Sequence, residues 1–179
     1  MFYQIGALSA FARSYGTVLQ PVTPHGRLGN LVVTKVEYAE AVAEAVARFD
    51  PSLAVVTQAG ALAESAARRG LPVGIMGLAD RAYNDDGSLV SRSLPGSVIT
   101  DPAEVVARTV RMVKEGVVRN VSGRDVQVEC DTVLLHGDTH GSAELGRQIR
   151  SALLEAAIGL RPLAVCLGLK PIPDRTAGG

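Results

Sequence analysis

Apolar runs that stop at glycine, proline or charged residues alternate along this chain with stretches whose apolar positions recur every three to four residues. That alternation predicts βα units and a mainly parallel sheet, not a sandwich or a helical bundle. Residues 3–15 read as a helix with Ile5, Leu8 and Ala12 on one face, and Gly16 is placed to end it. Thr17 to Val22 reads as a short strand that stops at Thr23-Pro24-His25-Gly26. Thr34 and Glu37 have the spacing of a capping box, which predicts a helix to about Phe49 with Val42, Val46 and Phe49 inward. A strand over Leu53 to Val56, a turn at Gly60 and an alanine-rich helix ending at Gly70 complete the next unit.

Leu71 to Met76 is the following strand, and it empties into a segment with little periodicity from Ala79 to Ile99. Loops longer than about 12–15 residues inside a domain are usually functional or disordered. The composition here favours function, with Asp80, Arg81, Tyr83, Asp85, Asp86, Arg92 and Ser93, and turns marked by Gly87 and Pro95-Gly96. Asp101-Pro102 starts a helix with Val106, Val110 and Val113 as its stripe, closed by Gly116. Val117 to Glu129 reads as an exposed hairpin around Ser122-Gly123, and Thr132 to Leu135 as a strand. Residues 142–158 form a helix with Leu145, Ile149 and Leu153 inward, followed by a last short strand. The domain is expected over residues 1–165, with 166–179 a loose tail.

Bulk properties narrow the function. A chain of 179 residues has room for one domain with a real core. Eighteen basic and eighteen acidic residues, with no long run of either sign, give no electrostatic footprint for nucleic acid or a membrane surface, so a small molecule or a protein is the expected partner. Cys130 and Cys166 lack metal-ligand spacing and sit in or beside apolar runs, which reads as buried, reduced thiols. No apolar stretch approaches the ~18 residues of a membrane span and no secretory leader is evident, so the expected location is cytoplasmic.

The candidate chemistry lies where strands end. Val133-Leu134-Leu135 stops at His136-Gly137-Asp138-Thr139-His140-Gly141, and this turn holds two of the chain's three histidines. In parallel sheets and barrels ligands gather outside the carboxyl ends of the strands. His25, Asp80, His136 and Asp138 each follow a predicted strand, so they are expected on one rim as candidate catalytic residues. A neutral imidazole can accept and return a proton near pH 7 while a carboxylate fixes its tautomer. The bland reading is that these residues satisfy backbone groups at strand ends. Arg81 and Arg92 bracket the long loop and have the planar donor fork for a carboxylate or phosphate, against the alternative of solvated loop arginines. Asp85-Asp86-Gly87-Ser88 lacks the remaining spacing of a calcium loop and reads as a surface turn. His136, Asp138 and His140 leave a metal open as an alternative, but no metal ligand is assigned. Neither a G-x-x-x-x-G-K-[ST] loop nor a strand-linked G-x-G-x-x-G is present, so a nucleotide would be bound in a less familiar way or by another chain.

Several segments, in this order, resemble the LamB/YcsF family: Tyr3-Gln4-Ile5-Gly6-Ala7-Leu8, Pro24-His25-Gly26, Phe49-Asp50-Pro51-Ser52-Leu53, Ala79-Asp80-Arg81-Ala82-Tyr83, Asp86 to Ser93, Pro95 to Ile99, and His136-Gly137-Asp138-Thr139. The likeness covers about residues 2–160. It implies a distorted TIM-type β/α barrel of the glycoside hydrolase/deacetylase kind. The family's N-terminal βα units have no match here, so the implied architecture is the C-terminal two-thirds of that barrel, a ring this chain does not close alone. Thr23 and Gly29 stand where the family usually has a lysine and a tyrosine.

The resemblance implies the A component of an ATP-dependent 5-oxoprolinase, which opens the lactam of 5-oxo-L-proline to L-glutamate with subunits B and C, ATP being the co-substrate. Amide resonance protects a lactam carbonyl, so ATP is expected to activate its oxygen before water attacks. In that scheme His136 or His25 is base or acid, Asp138 orients it, Asp80 shares the rim, and Arg81, Arg92 and Thr139 hold the substrate. Two alternatives stand beside it. One is an inactive family member that binds partners or forms a homo-oligomer over an exposed sheet edge. The other is a metal-dependent amide or sugar deacetylase, argued from fold alone.

Overall fold

The computed structural model describes residues 1–138 and 141–169. These residues form two compact units: one comprises residues 1–75 with the segment from Pro162, the other Met76 to Arg161. The class is mixed α/β with parallel strands, as the alternating pattern predicts. No ring of strands closes among the described residues.

In the first unit the order is α1 (Phe2–Ser14), β1 (Pro21–Val22), α2 (Gly26–Thr34), α3 (Val36–Phe49), β2 (Ala54–Thr57) and α4 (Ala61–Arg68). Strand β3 (Val73–Leu78) begins here, and α7 (Leu163–Cys166) follows much later in the chain. The pairing is parallel throughout, with Pro21 opposite Ala54 and Val55 opposite Val73. Every residue of β2 is buried, and the core joins Val22, Val32, Val42, Val46, Val55, Leu62 and Leu71.

Four expectations are corrected in this unit. Helix α1 buries only Ile5, while Leu8 is exposed along with Phe2, Tyr3, Phe11 and Tyr15. Thr34 belongs to the last turn of α2, so its hydroxyl is not at the N-cap of α3; Lys35 takes that place, with no side-chain cap. The last predicted strand is instead the short helix α7, which buries Ala164 and leaves Cys166 exposed, not buried.

The second unit begins within β3, whose later residues pair in parallel with β6 (Thr132–Leu134), Met76 opposite Thr132 and Leu78 opposite Leu134. Helix α5 (Pro102–Glu115) is capped by the Asp101 carboxylate, which accepts from the Ala103 N–H at 3.0 Å, and is closed by Gly116 in the left-handed conformation. Strands β4 (Val117–Arg119) and β5 (Asp125–Gln127) form the expected hairpin, but it is not exposed throughout, since Val118 is buried in a core cluster with Tyr83 and Met112. Helix α6 (Ser142–Glu155) buries Ile149 and Leu153 against Ala79 and Val105.

The buried face of α5 carries Val105, Arg108, Thr109 and Met112. Val106, Val110 and Val113, the expected stripe, lie at its partly buried margin and pack onto the core with α6. A cationic residue on the buried face of a helix is uncommon unless it is paired.

Candidate functional site

The two strands that pair in the second unit each deliver one ionisable group at their carboxyl ends. Beyond β3, the backbone reaches Asp80 two residues after Leu78; beyond β6, it reaches His136 two residues after Leu134. Ala79 N–H still donates to Leu134 O at 2.9 Å, so both exits start from a fixed register. Asp80 is 2% exposed. Its carboxylate meets Nδ1 of His136 at 2.8 Å through Oδ1 and 3.0 Å through Oδ2, and Oδ2 also accepts the His136 backbone N–H at 3.3 Å. The side chain of His136 is 12% exposed.

A carboxylate offers only acceptors. The proton between the two groups therefore sits on Nδ1, and in the neutral ring Nε2 carries the basic lone pair. Such an arrangement can take a proton at Nε2, with Asp80 steadying the charge that develops on the ring.

The other expected site residues fall into distinct places. Asp138 was expected to orient the histidine; the carboxylate that does so is Asp80's, while Asp138 lies 3.7 Å from an Arg92 nitrogen in an exposed pair. Arg81 is buried, with Nε donating to Ser97 O at 3.0 Å and Nη2 to Val90 O at 2.6 Å. Its guanidinium thereby stitches the long loop across itself, alongside bridges of Arg81 to Val98 and Tyr83 to Leu89. Burial, then the neighbouring Arg92 charge, pushes the Arg81 pKa down, and Asp80 partly offsets this. His25 is the exposed N-cap residue of α2 in the first unit, at φ −121° and ψ 165°. Thr139 and His140 lie outside the described residues.

The aspartates of the loop tip are occupied locally. Asp86 Oδ1 accepts from the Ser88 N–H at 2.9 Å and its hydroxyl at 2.6 Å, forming the surface turn read from the sequence. These bonds lower its pKa. Asp85 accepts from Asn120 Nδ2 at 2.5 Å and Ser122 Oγ at 2.9 Å, and pairs with Arg124. Among the described residues, no three His, Cys, Asp or Glu side chains gather in a metal-binding group, and no helix is long and apolar enough to cross a membrane.

A family model for LamB/YcsF proteins matches residues 1–167. The chain belongs to the LamB/YcsF family. It is 44% identical over 164 residues to the 5-oxoprolinase A component of Pyrococcus furiosus, a match covering 91% of this chain and 64% of that protein. One of the 5-oxoprolinase A components of Bordetella bronchiseptica is 45% identical over 159 residues, with 89% and 64% covered. Among solved structures, the lactam utilization protein of Thermus thermophilus superposes with a TM-score of 0.80 at 41% identity, covering 89% of this chain and 64% of that one. The chain thus spans 64% of the length of these relatives.

Membership puts the departure at Gly29 in structural terms. In this LamB/YcsF chain a Cβ at Gly29 would stand 2.8 Å from the Pro24 carbonyl oxygen, so the backbone around His25 is packed too closely for a side chain there. Two further residues of the second unit bear on the site: Tyr83, which sequence reading places in the long loop without a role, and Arg108, which it does not single out. The Tyr83 hydroxyl is buried and accepts the Leu78 N–H at 2.9 Å, and burial raises its pKa. Arg108 Nη1 donates to Leu78 O at 3.2 Å and Ala79 O at 2.7 Å, and its guanidinium carbon lies 5.6 Å from the centre of the Tyr83 ring. Burial lowers the Arg108 pKa, while Tyr83, Glu104 and Asp80 pull it back up. The available signal was spacing: Arg108 stands three residues after Val105 and four before Met112, on the buried side of α5.

Proposed function

We propose that this chain is a catalytic component of a 5-oxoprolinase, opening the lactam of 5-oxo-L-proline to L-glutamate in an ATP-dependent reaction with partner subunits B and C. The observation that carries the chemistry is the Asp80–His136 pair at the ends of two adjacent parallel strands. The names of the relatives supply the substrate class, and the lactam utilization protein from Thermus points the same way.

Ring opening breaks the lactam C–N bond, forms a C–O bond from water, and returns a proton to the departing nitrogen. In this reading His136 Nε2 takes a proton from the attacking water and hands it to that nitrogen, with Asp80 holding the ring and stabilising its charged form. Arg92 neutralises the substrate carboxylate. It is half exposed and its contact to Asp138 is long, so solvent screening leaves that pair easy to exchange for a substrate anion. Asp138 then steadies Arg92, and Arg81 shapes the loop that carries it. As co-substrate, ATP would activate the lactam oxygen by phosphorylation, with ADP released and inorganic phosphate set free once the ring has opened and a second water has taken up the phosphoryl group; no residue of this chain is assigned to the nucleotide.

The test is His136→Ala in a complex reconstituted with subunits B and C, measured as glutamate released from 5-oxoproline and ATP. Abolished turnover with intact assembly supports the assignment. Retained turnover removes His136 from the reaction. A wild-type chain that assembles without any glutamate release would instead favour a non-catalytic binding role.

A further inference from the structure

On one side the end of β3 is held by another strand, and on the other by side chains. Ala79 N–H points to β6 and donates to Leu134 O at 2.9 Å. In a strand the polar groups of neighbouring residues point in opposite directions, so those of Leu78 face away from β6. The Leu78 N–H finds the Tyr83 hydroxyl, and its carbonyl accepts from Arg108 Nη1, which also reaches the Ala79 carbonyl. Tyr83 and Arg108 thus supply the donor and acceptor that a further strand would offer. The ring and guanidinium lie within cation–π range and brace each other.

Asp80 is the next residue in the chain. Where the Leu78 and Ala79 carbonyls sit decides where its carboxylate points, just as β6 decides the position of His136. We propose that Arg108, braced by Tyr83, is a positioning residue: its grip on two successive carbonyls fixes Asp80 against Nδ1 of His136 and so keeps Nε2 the basic nitrogen.

Arginine is a costly way to fill this part of the core. Nη2 of Arg108 is buried and donates no hydrogen bond, and a hydrophobe of similar volume would avoid both that loss and the desolvation of a charge. What a hydrophobe cannot provide is a rigid donor reaching two backbone oxygens. The charge also acts on the pair through space, since Asp80 is among the groups that oppose the desolvation of Arg108.

The inference rests on the reading of His136 as the proton carrier, yet its test does not require turnover. Long-range ¹H–¹⁵N spectra of the labelled full chain, recorded where the ring is neutral, report which imidazole nitrogen holds the proton; His136→Gln identifies the signal. The wild-type ring is expected to be protonated on Nδ1. Arg108→Lys, which keeps a charged donor but not the rigid fork or the ring contact, retains that pattern only in part. Arg108→Gln and Tyr83→Phe lose it toward the mixed pattern of an unconstrained histidine, while the His25 signals stay put. If Arg108→Gln does not fold, Tyr83→Phe, which removes a single oxygen from the grip, decides alone. A folded Arg108→Gln or Tyr83→Phe with the wild-type His136 pattern overturns the proposal, as does a wild-type ring protonated on Nε2. If the pattern is lost as expected but His136→Ala still releases glutamate, the functional reading fails and the positioning role stands.

Discussion

Replacing Asp80 by asparagine changes one oxygen for an NH2 group and removes one charge, at a residue only 2% exposed. The carboxylate accepts from two donors of the same residue, Nδ1 and the backbone N–H of His136. Hydrogen bonds to a charged acceptor contribute about 1.5–3 kcal/mol and neutral ones about 0.5–1.5 kcal/mol, so each donor loses about 1–1.5 kcal/mol on neutralisation. An amide has a single acceptor oxygen, so one donor also faces an NH2 group. The expected loss of stability is about 2–4 kcal/mol, which for a chain of this size lowers Tm by roughly 4–16 °C. On the proposed reading of His136 as the base, the effect on turnover is larger. If the amide oxygen takes the backbone N–H, its NH2 meets Nδ1 and favours the tautomer with the proton on Nε2, which cannot serve as the base. A fall in kcat of about 10² to 10⁴ follows, with KM little changed because Asp80 is buried behind the ring. The assay pairs thermal unfolding followed by circular dichroism with glutamate release by the reconstituted complex at saturating 5-oxoproline and ATP. A variant that melts lower but turns over at the wild-type rate refutes the claim that the pair does proton transfer.

Other expectations concern the rim, a surface cluster and one backbone position. Arg92→Ala should leave stability within about 0.5 kcal/mol, as befits a screened surface pair, yet raise KM for 5-oxoproline about tenfold or more through loss of a charged contact; an unchanged KM removes Arg92 from substrate binding. Hydrogen bonds from Arg68, then Arg69 and Ser65, lower the Glu40 pKa from 4.5 to about 2. Because the folded pKa is depressed, the stabilisation is complete above the unfolded value and is lost as pH falls from about 4.5 towards 2. Glu40→Gln should therefore flatten part of the stability–pH slope in that window in urea titrations, and identical slopes for variant and wild type would contradict it. Gly60 sits at φ 141°, and a Cβ there would stand 2.4 Å from the Val33 carbonyl oxygen. Gly60→Ala should cost about 3 kcal/mol or more, read as a lower denaturation midpoint or loss of folded protein; a wild-type midpoint would refute the close approach.

Local pattern was enough to reveal the α/β class, the parallel strands, the Asp101-Pro102 helix start, the hairpin around Ser122-Gly123 and the strand ends that carry Asp80 and His136, because periodicity, caps and turn residues act over a few positions. Ordered segments spread over most of the chain were likewise enough to show the family. Helix α2 had no such signal: Gly26 and Gly29 weaken its propensity, and it buries only Val32. Leu8 shows the reverse error, since a helical stripe fixes which residues share a face but not whether anything covers that face. Partner choice lay wholly in the tertiary structure. Asp138 is two residues from His136 and Asp80 is fifty-six away, yet parallel pairing of β3 with β6 brings the distant carboxylate to the ring and leaves the near one with Arg92. Arg81 and Arg92 look alike in the sequence, and only folding of the loop buries one as a stitch and exposes the other. Arg108 reads as one more helix cation until the end of β3 is seen to need its donors. Sequence spacing sets which groups are available; which of them meet depends on contacts between residues far apart in the chain, and those exist only once the strands have paired.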